Sequence, residues 1–146
     1  CKNGPMDTIE EMRLVRGGTE EVFFGNRRRQ GIRSCFTVYG DGTININTAP
    51  VPVLLTLSDN MNPGVAEEMD DFRRDPANRP ELREVDWYRR LWPYDDPLPE
   101  KSLKTSSSFF SVRLRGELRQ SVKQVHAVIE RTSEDARIVY WQETAP

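Results

Sequence analysis

Only one histidine, His126, and two cysteines, Cys1 and Cys35, occur in 146 residues. With no CxxC pair, and the lone histidine far from either thiol in sequence, the chain lacks the ligand spacing of a zinc site. Cys1 and Cys35 are a candidate disulfide. One bridge and two free thiols fit the count equally, because sequence does not give the Cα separation that a bridge needs. Charge of one sign is also missing. Lysine and arginine number 21 against 23 aspartates and glutamates, and the net charge of -2 provides no global field to hold a polyanion. Long apolar runs are absent too. The longest, 51–57, contains Pro52 and is far too short to span a bilayer, and no basic, apolar leader opens the chain. A start at Cys1 instead of methionine reads as a trimmed or processed end, with a targeting segment expected upstream. Ser106, Ser107 and Ser108 have no GxSxG context, and Glu67 with Glu68 suits the wet face of a helix better than an acid/base pair. The expectation is a non-enzyme.

What is present is a chain long enough for one domain, or for a small domain joined to part of another. Asp7 with Glu10 has the spacing of a capping box, and Ile9, Met12 and Val15 predict a short helix over 8–15. Gly17 and Gly18 stop it. Thr19 then caps a second helix carrying Glu20, Glu21, Val22, Phe23 and Phe24 up to Gly25. Phe36, Val38, Ile44 and Ile46 alternate around Gly40-Asp41-Gly42 and predict a small β-hairpin near 36–47. Thr48 is the natural cap of a further helix that takes Pro50 and Pro52 in its first turn, and residues 58–61 turn the chain. Asn62-Pro63 opens another helix, with Val65, Met69 and Phe72 on one stripe. A helix beginning near Pro80 is expected to carry Leu82, Val85, Tyr88 and Leu91, with Trp87 and Trp92 as anchors. Beyond Thr105 the period falls to two. Phe110, Val112 and Leu114, then Val125, Ala127 and Ile129, then Ile138, Tyr140 and Gln142 predict three strands in an antiparallel meander.

The segment Ile44-Asn45-Ile46-Asn47-Thr48-Ala49-Pro50, followed by Val53-Leu54, resembles the INxNTAPxxVL signature of the K family of type II secretion minor pseudopilins. Lys2-Asn3-Gly4-Pro5, Ile9-Glu10-Glu11, Leu14-Val15-Arg16-Gly17 and Thr37-Val38-Tyr39-Gly40 are similar to further family segments in the same order. Residues 107–112, 127–131 and 139–143 resemble its closing strands. The resemblance implies an α+β chain: an inserted helical domain over 1–104, with two helix-hairpin-helix, SAM-like units, and then the final strands of a pilin-like sheet over 105–146. It implies a subunit at the tip of the pseudopilus, working with the I and J minor pseudopilins and meeting secreted cargo. The expected location is the periplasm, anchored in the bacterial inner membrane by an N-terminal helix upstream of Cys1. Asn45, Asn47, Thr48, Ala49 and Pro50 carry the family motif. The apolar parity of the central strand, Val125, Ala127 and Ile129, is the expected partner surface, because something must cover it. One departure stands out: Leu57-Ser58-Asp59-Asn60-Met61 occupies the place of the family's usual Leu-Pro-Gly turn.

A competing reading is a nucleic-acid-binding helix-hairpin-helix module, as in competence proteins of the ComEA kind. It needs turn amides aimed at phosphate. Gly17-Gly18, near Arg16 and Arg27-Arg28-Arg29, fits that need, but Asp59 places negative charge in the second turn. No nucleic acid is expected, and the arginine cluster reads as a solvated loop or a contact to an acidic partner. No cofactor is required. Asp95, Asp96 and Glu100, in a proline-rich loop, are a calcium candidate without EF-hand spacing. His126 falls on the strand face opposite Val125, Ala127 and Ile129, where a structural or exposed histidine is the default.

Overall fold

The computed structural model describes residues 3–119 and 121–144. It is mixed α and β, and its contacts divide between Thr105 and Ser106 into two compact units, described separately below.

In the first unit a 3-10 helix spans Ile9–Leu14. Its capping box is one residue later than the Asp7–Glu10 spacing suggests: the Glu11 carboxylate accepts from the N–H groups of Asp7 (2.8 Å) and Thr8 (3.2 Å). Helix α1, Glu20–Phe24, starts where Thr19 Oγ1 accepts from the Val22 N–H at 3.2 Å and stops at Gly25, whose φ of 81° suits glycine. A 3-10 turn follows at Ile32–Cys35.

The hairpin expected near 36–47 does not form. Strand β1 is only Ile44–Asn45, and it pairs in parallel with β2, Leu103–Lys104, from the far end of the unit. Local turn chemistry explains the difference. Asp41 accepts from both the backbone and the hydroxyl of Thr43, Gly40 and Gly42 hold positive φ, and Phe36 is left 54% exposed, so the alternation at 36–46 faces no common core.

Helix α2, Val51–Leu54, is capped by Pro50 with extended ψ, not by Thr48. Pro52 then falls in its first turn, where a missing N–H costs little. Helix α3, Pro63–Arg74, is the longest described helix and follows its sequence signals closely. Asn62 Oδ1 accepts from Val65 N–H at 3.1 Å, Pro63 fills the first position, and Arg73 and Arg74 close the last turn, where cations meet the negative end of the helix dipole. Its apolar stripe packs on α2, with Ala66 and Met69 fully buried.

No single helix follows Pro80. Glu84 is extended (φ -93°, ψ 144°) and splits the segment into 3-10 turns at Glu81–Arg83 and Val85–Arg90. The expected anchors are nonetheless in place. Trp87 and Trp92 are 3% and 8% exposed, Tyr88 is fully buried, and Trp87 stacks on Phe72 at 5.4 Å between centroids. They close one core with Ile46, Leu54, Met69 and Leu98.

The second unit is a three-stranded antiparallel sheet, ordered β3 (Phe109–Leu118), β4 (Ser121–Arg131) and β5 (Ala136–Thr144). The first turn holds Arg119 at φ 55°, with Gln120 outside the described residues. The second is closed by Thr132, whose N–H donates to the Asp135 carbonyl at 2.8 Å and whose hydroxyl accepts from the Asp135 N–H at 3.0 Å. No helix among the described residues is long and apolar enough to cross a membrane.

Candidate assembly interface

The segment carrying the family resemblance, Asn45 to Pro50, is held by side chains from several elements. Asn47 uses its whole amide. Its Nδ2 donates to the carbonyls of Leu82 (2.7 Å) and Thr105 (3.2 Å), and its Oδ1 accepts from the Trp87 indole at 2.8 Å. Its N–H donates to Asn45 Oδ1 at 3.0 Å, and the Asn45 carbonyl accepts from both Thr48 and Ala49 N–H. Arg73 grips the same stretch from α3, donating to the carbonyls of Ile46 (2.8 Å) and Ala49 (2.5 Å) while paired with Asp70. The Asn47 amide thus joins two backbone carbonyls to the buried Trp87 indole. Such a network ties the motif to the rest of the unit.

The acidic groups near this core are engaged in the same way. Burial pushes the Asp70 carboxyl upward, but hydrogen bonds from Arg74 and Arg73 more than reverse this and leave its pKa lowered. Glu100 is lowered by hydrogen bonds from Arg89 and Tyr88. Tyr88 is raised, first by burial and then by that carboxylate. Asp41 is lowered by Thr43 and then by Lys104.

The calcium candidates do not converge. Glu100 is turned to Arg89 and Tyr88, Asp96 accepts from the Asn60 amide at 3.3 Å, and Asp95 is exposed. No group of three His, Cys, Asp or Glu placed to hold a metal occurs among the described residues. Cys35 is half-buried with a free thiol, its Sγ 3.9 Å from Ser34 Oγ. Cys1 lies outside the described residues, and with it the candidate bridge.

At the first turn, the N–H groups of Gly18 and Thr19 donate to the carbonyls of Val15 (2.8 Å) and Gly17 (2.9 Å), so both amides are engaged inside the turn. In the second, Asn60 and Met61 N–H donate to Ser58.

The sheet's two faces differ in chemistry. Residues directly opposite in an antiparallel pair share a face. Phe110, Val112 and Leu114 of β3 oppose Ile129, Ala127 and Val125 of β4, and Trp141 and Ile138 of β5 oppose Ala127 and Ile129. The expected partner residues therefore do lie on one apolar face. Ala127 itself is only 5% exposed, whereas Phe110, Leu114, Ile138 and Trp141 are 40%, 58%, 58% and 53% exposed. These last carry the surface.

The other face mixes polar groups with Val128, which is 5% exposed. Ser111 Oγ and His126 Nε2 lie 2.9 Å apart, the His126 ring meets Tyr140 edge-on, and the Tyr140 hydroxyl donates to Gln142. Among the described residues no carboxylate is bonded to Ser111 or His126.

Sequence periodicity misplaced β5. Ile138, Tyr140 and Gln142 read as one face, but a register shift between Val128 and Ile129 inserts an extra residue in β5. Ile138 and Trp141 then fall on the apolar side, with Tyr140 and Gln142 opposite Val128 and His126 on the other. Trp141 is the exposed member of this face that the periodicity missed. Its only sequence signal is a tryptophan in a charged terminal strand.

No protein-family model, no curated protein and no solved structure matches the chain.

Proposed function

We propose that the chain is part of a minor pseudopilin of the K kind from a type II secretion system, a non-enzymatic subunit at the pseudopilus tip. One observation carries the reading: a three-stranded antiparallel sheet exposes Phe110, Leu114, Ile138 and Trp141 together on one face. Four large apolar side chains exposed together on one face support an assembly surface. On this reading its cover is the upstream apolar helix that also anchors the protein in the inner membrane from the periplasmic side. The sequence segments cited above, in family order, support the same assignment.

The finer architecture follows the same proposal. On this proposal the Ile9–Leu14 turn with α1, and α2 with α3, serve as two helix-hairpin-helix, SAM-like units that enlarge the subunit. A subunit enlarged in this way leaves no room for another above it in a helical filament. It therefore starts assembly with the I and J minor pseudopilins and faces secreted cargo.

The test is co-purification of the complete periplasmic region with those two subunits. A stable ternary complex is expected, weakened by Trp141→Asp with Leu114→Asp. Failure of the unaltered protein to associate would overturn the assignment.

A further inference from the structure

We propose that Phe24 and the arginine loop at the end of α1 form a docking surface for an acidic protein segment carrying an apolar side chain. From Val22 to Phe36 the chain has four arginines and no acidic residue, although its overall charge is -2. Arg33 is paired with Glu10 at 3.1 Å, and Arg13 with Glu20. Arg27, Arg28 and Arg29 are exposed, with no acidic partner among the described residues.

The loop is held in shape. Asn26 Oδ1 accepts from the N–H groups of Arg28 (2.8 Å) and Arg29 (2.9 Å), and the Asn26 N–H donates to the Arg29 carbonyl at 2.8 Å. Gly25 bridges Gln30, and Gly31 is buried where a Cβ would overlap the Phe24 backbone. Three guanidiniums on a fixed backbone lose less freedom on binding than three on a floppy one.

At the root of the loop Phe24 is 54% exposed, with the Arg13 and Arg33 guanidiniums 5.6 and 5.9 Å from its ring centroid, and Val22 beside it is 45% exposed. An open aromatic rimmed by arginines has the composition of a protein-binding hot spot. Charge favours a peptide over nucleic acid. Glu10 and Glu20 hold the two arginines beside the ring, so a continuous phosphate backbone would meet carboxylates there, whereas a segment with spaced acids can place them on Arg27, Arg28 and Arg29 and an apolar group on Phe24. The inference is independent of the secretion assignment and uses none of the sheet residues.

The experiment is fluorescence anisotropy of the chain with a labelled peptide of glutamates interspersed with leucine and phenylalanine. The same peptide with glutamine for glutamate and a labelled DNA duplex serve as comparisons. Expected are saturable, salt-sensitive binding of the acidic peptide, loss of binding by the glutamine peptide, and weakening by about tenfold or more in R27Q/R28Q/R29Q. Phe24→Ala should weaken binding as well, with the fold checked by circular dichroism. The triple variant alters only exposed side chains and keeps the fold. No saturable binding, equal binding by the triple variant, or tighter binding of the duplex would each overturn the proposal.

Discussion

The unit before Ser106 and the sheet after it solve the problem of apolar surface in opposite ways. The first has little regular structure, mostly 3-10 turns and short helices, yet it buries Tyr88, Ile46, Leu54 and Met69 completely and ties its loops with Asn47 and Arg73. The second is regular over nearly its whole length and leaves its largest side chains in solvent. Regularity and completeness are thus separate properties. Backbone pairing suffices to define a meander, but a single-layer sheet has no second layer to bury its apolar face.

The contrast is broken most severely at Trp87. Trp87→Ala removes the stack on Phe72 and the donor to Asn47, and should cost about 3–5 kcal/mol in urea unfolding of the first unit, against little change in the sheet. Asn47→Ala comes next. It strands the Trp87 indole N–H and two carbonyls, a loss of about 1–3 kcal/mol.

Acid should act on the first unit in a defined direction. Asp70 and Glu100 have folded pKa values below their ordinary 3.8 and 4.5, so their stabilising effect is fully present above those values. It is lost as pH falls through the lower folded values, because the unfolded state then binds more protons. Urea midpoints compared at neutral pH and below 3.8 should fall in acid, and Glu100→Gln should reduce the drop. The smallest effect is expected at Leu114→Lys. With 58% of the side chain already exposed, stability should shift by no more than about 0.5 kcal/mol, while any assembly through that face should suffer.

How much could be read from sequence follows the same divide. The meander was legible because strict alternation and short polar connections leave few topologies open. Helix α3 was legible because Asn62, Pro63 and the Val65, Met69, Phe72 stripe agree. The segments at 36–47 and after Pro80 were not, because their patterns are resolved by distant contacts: β1 takes its partner from Leu103, and Trp87 answers to Asn47. The apolar face was read from Val125, Ala127 and Ile129, but its exposed members include Trp141, which a one-residue bulge moved into view. Periodicity cannot announce a bulge.

Fluorine NMR of the chain labelled with 5-fluorotryptophan tests the central contrast most directly, since Trp87 and Trp92 are buried in the first unit and Trp141 stands 53% exposed on the sheet. Resonances would be assigned by Trp141→Phe and compared in light and heavy water. The account predicts a clear solvent shift for Trp141 alone and its disappearance when a covering helix is supplied. A Trp141 signal as insensitive to solvent as the other two would contradict it.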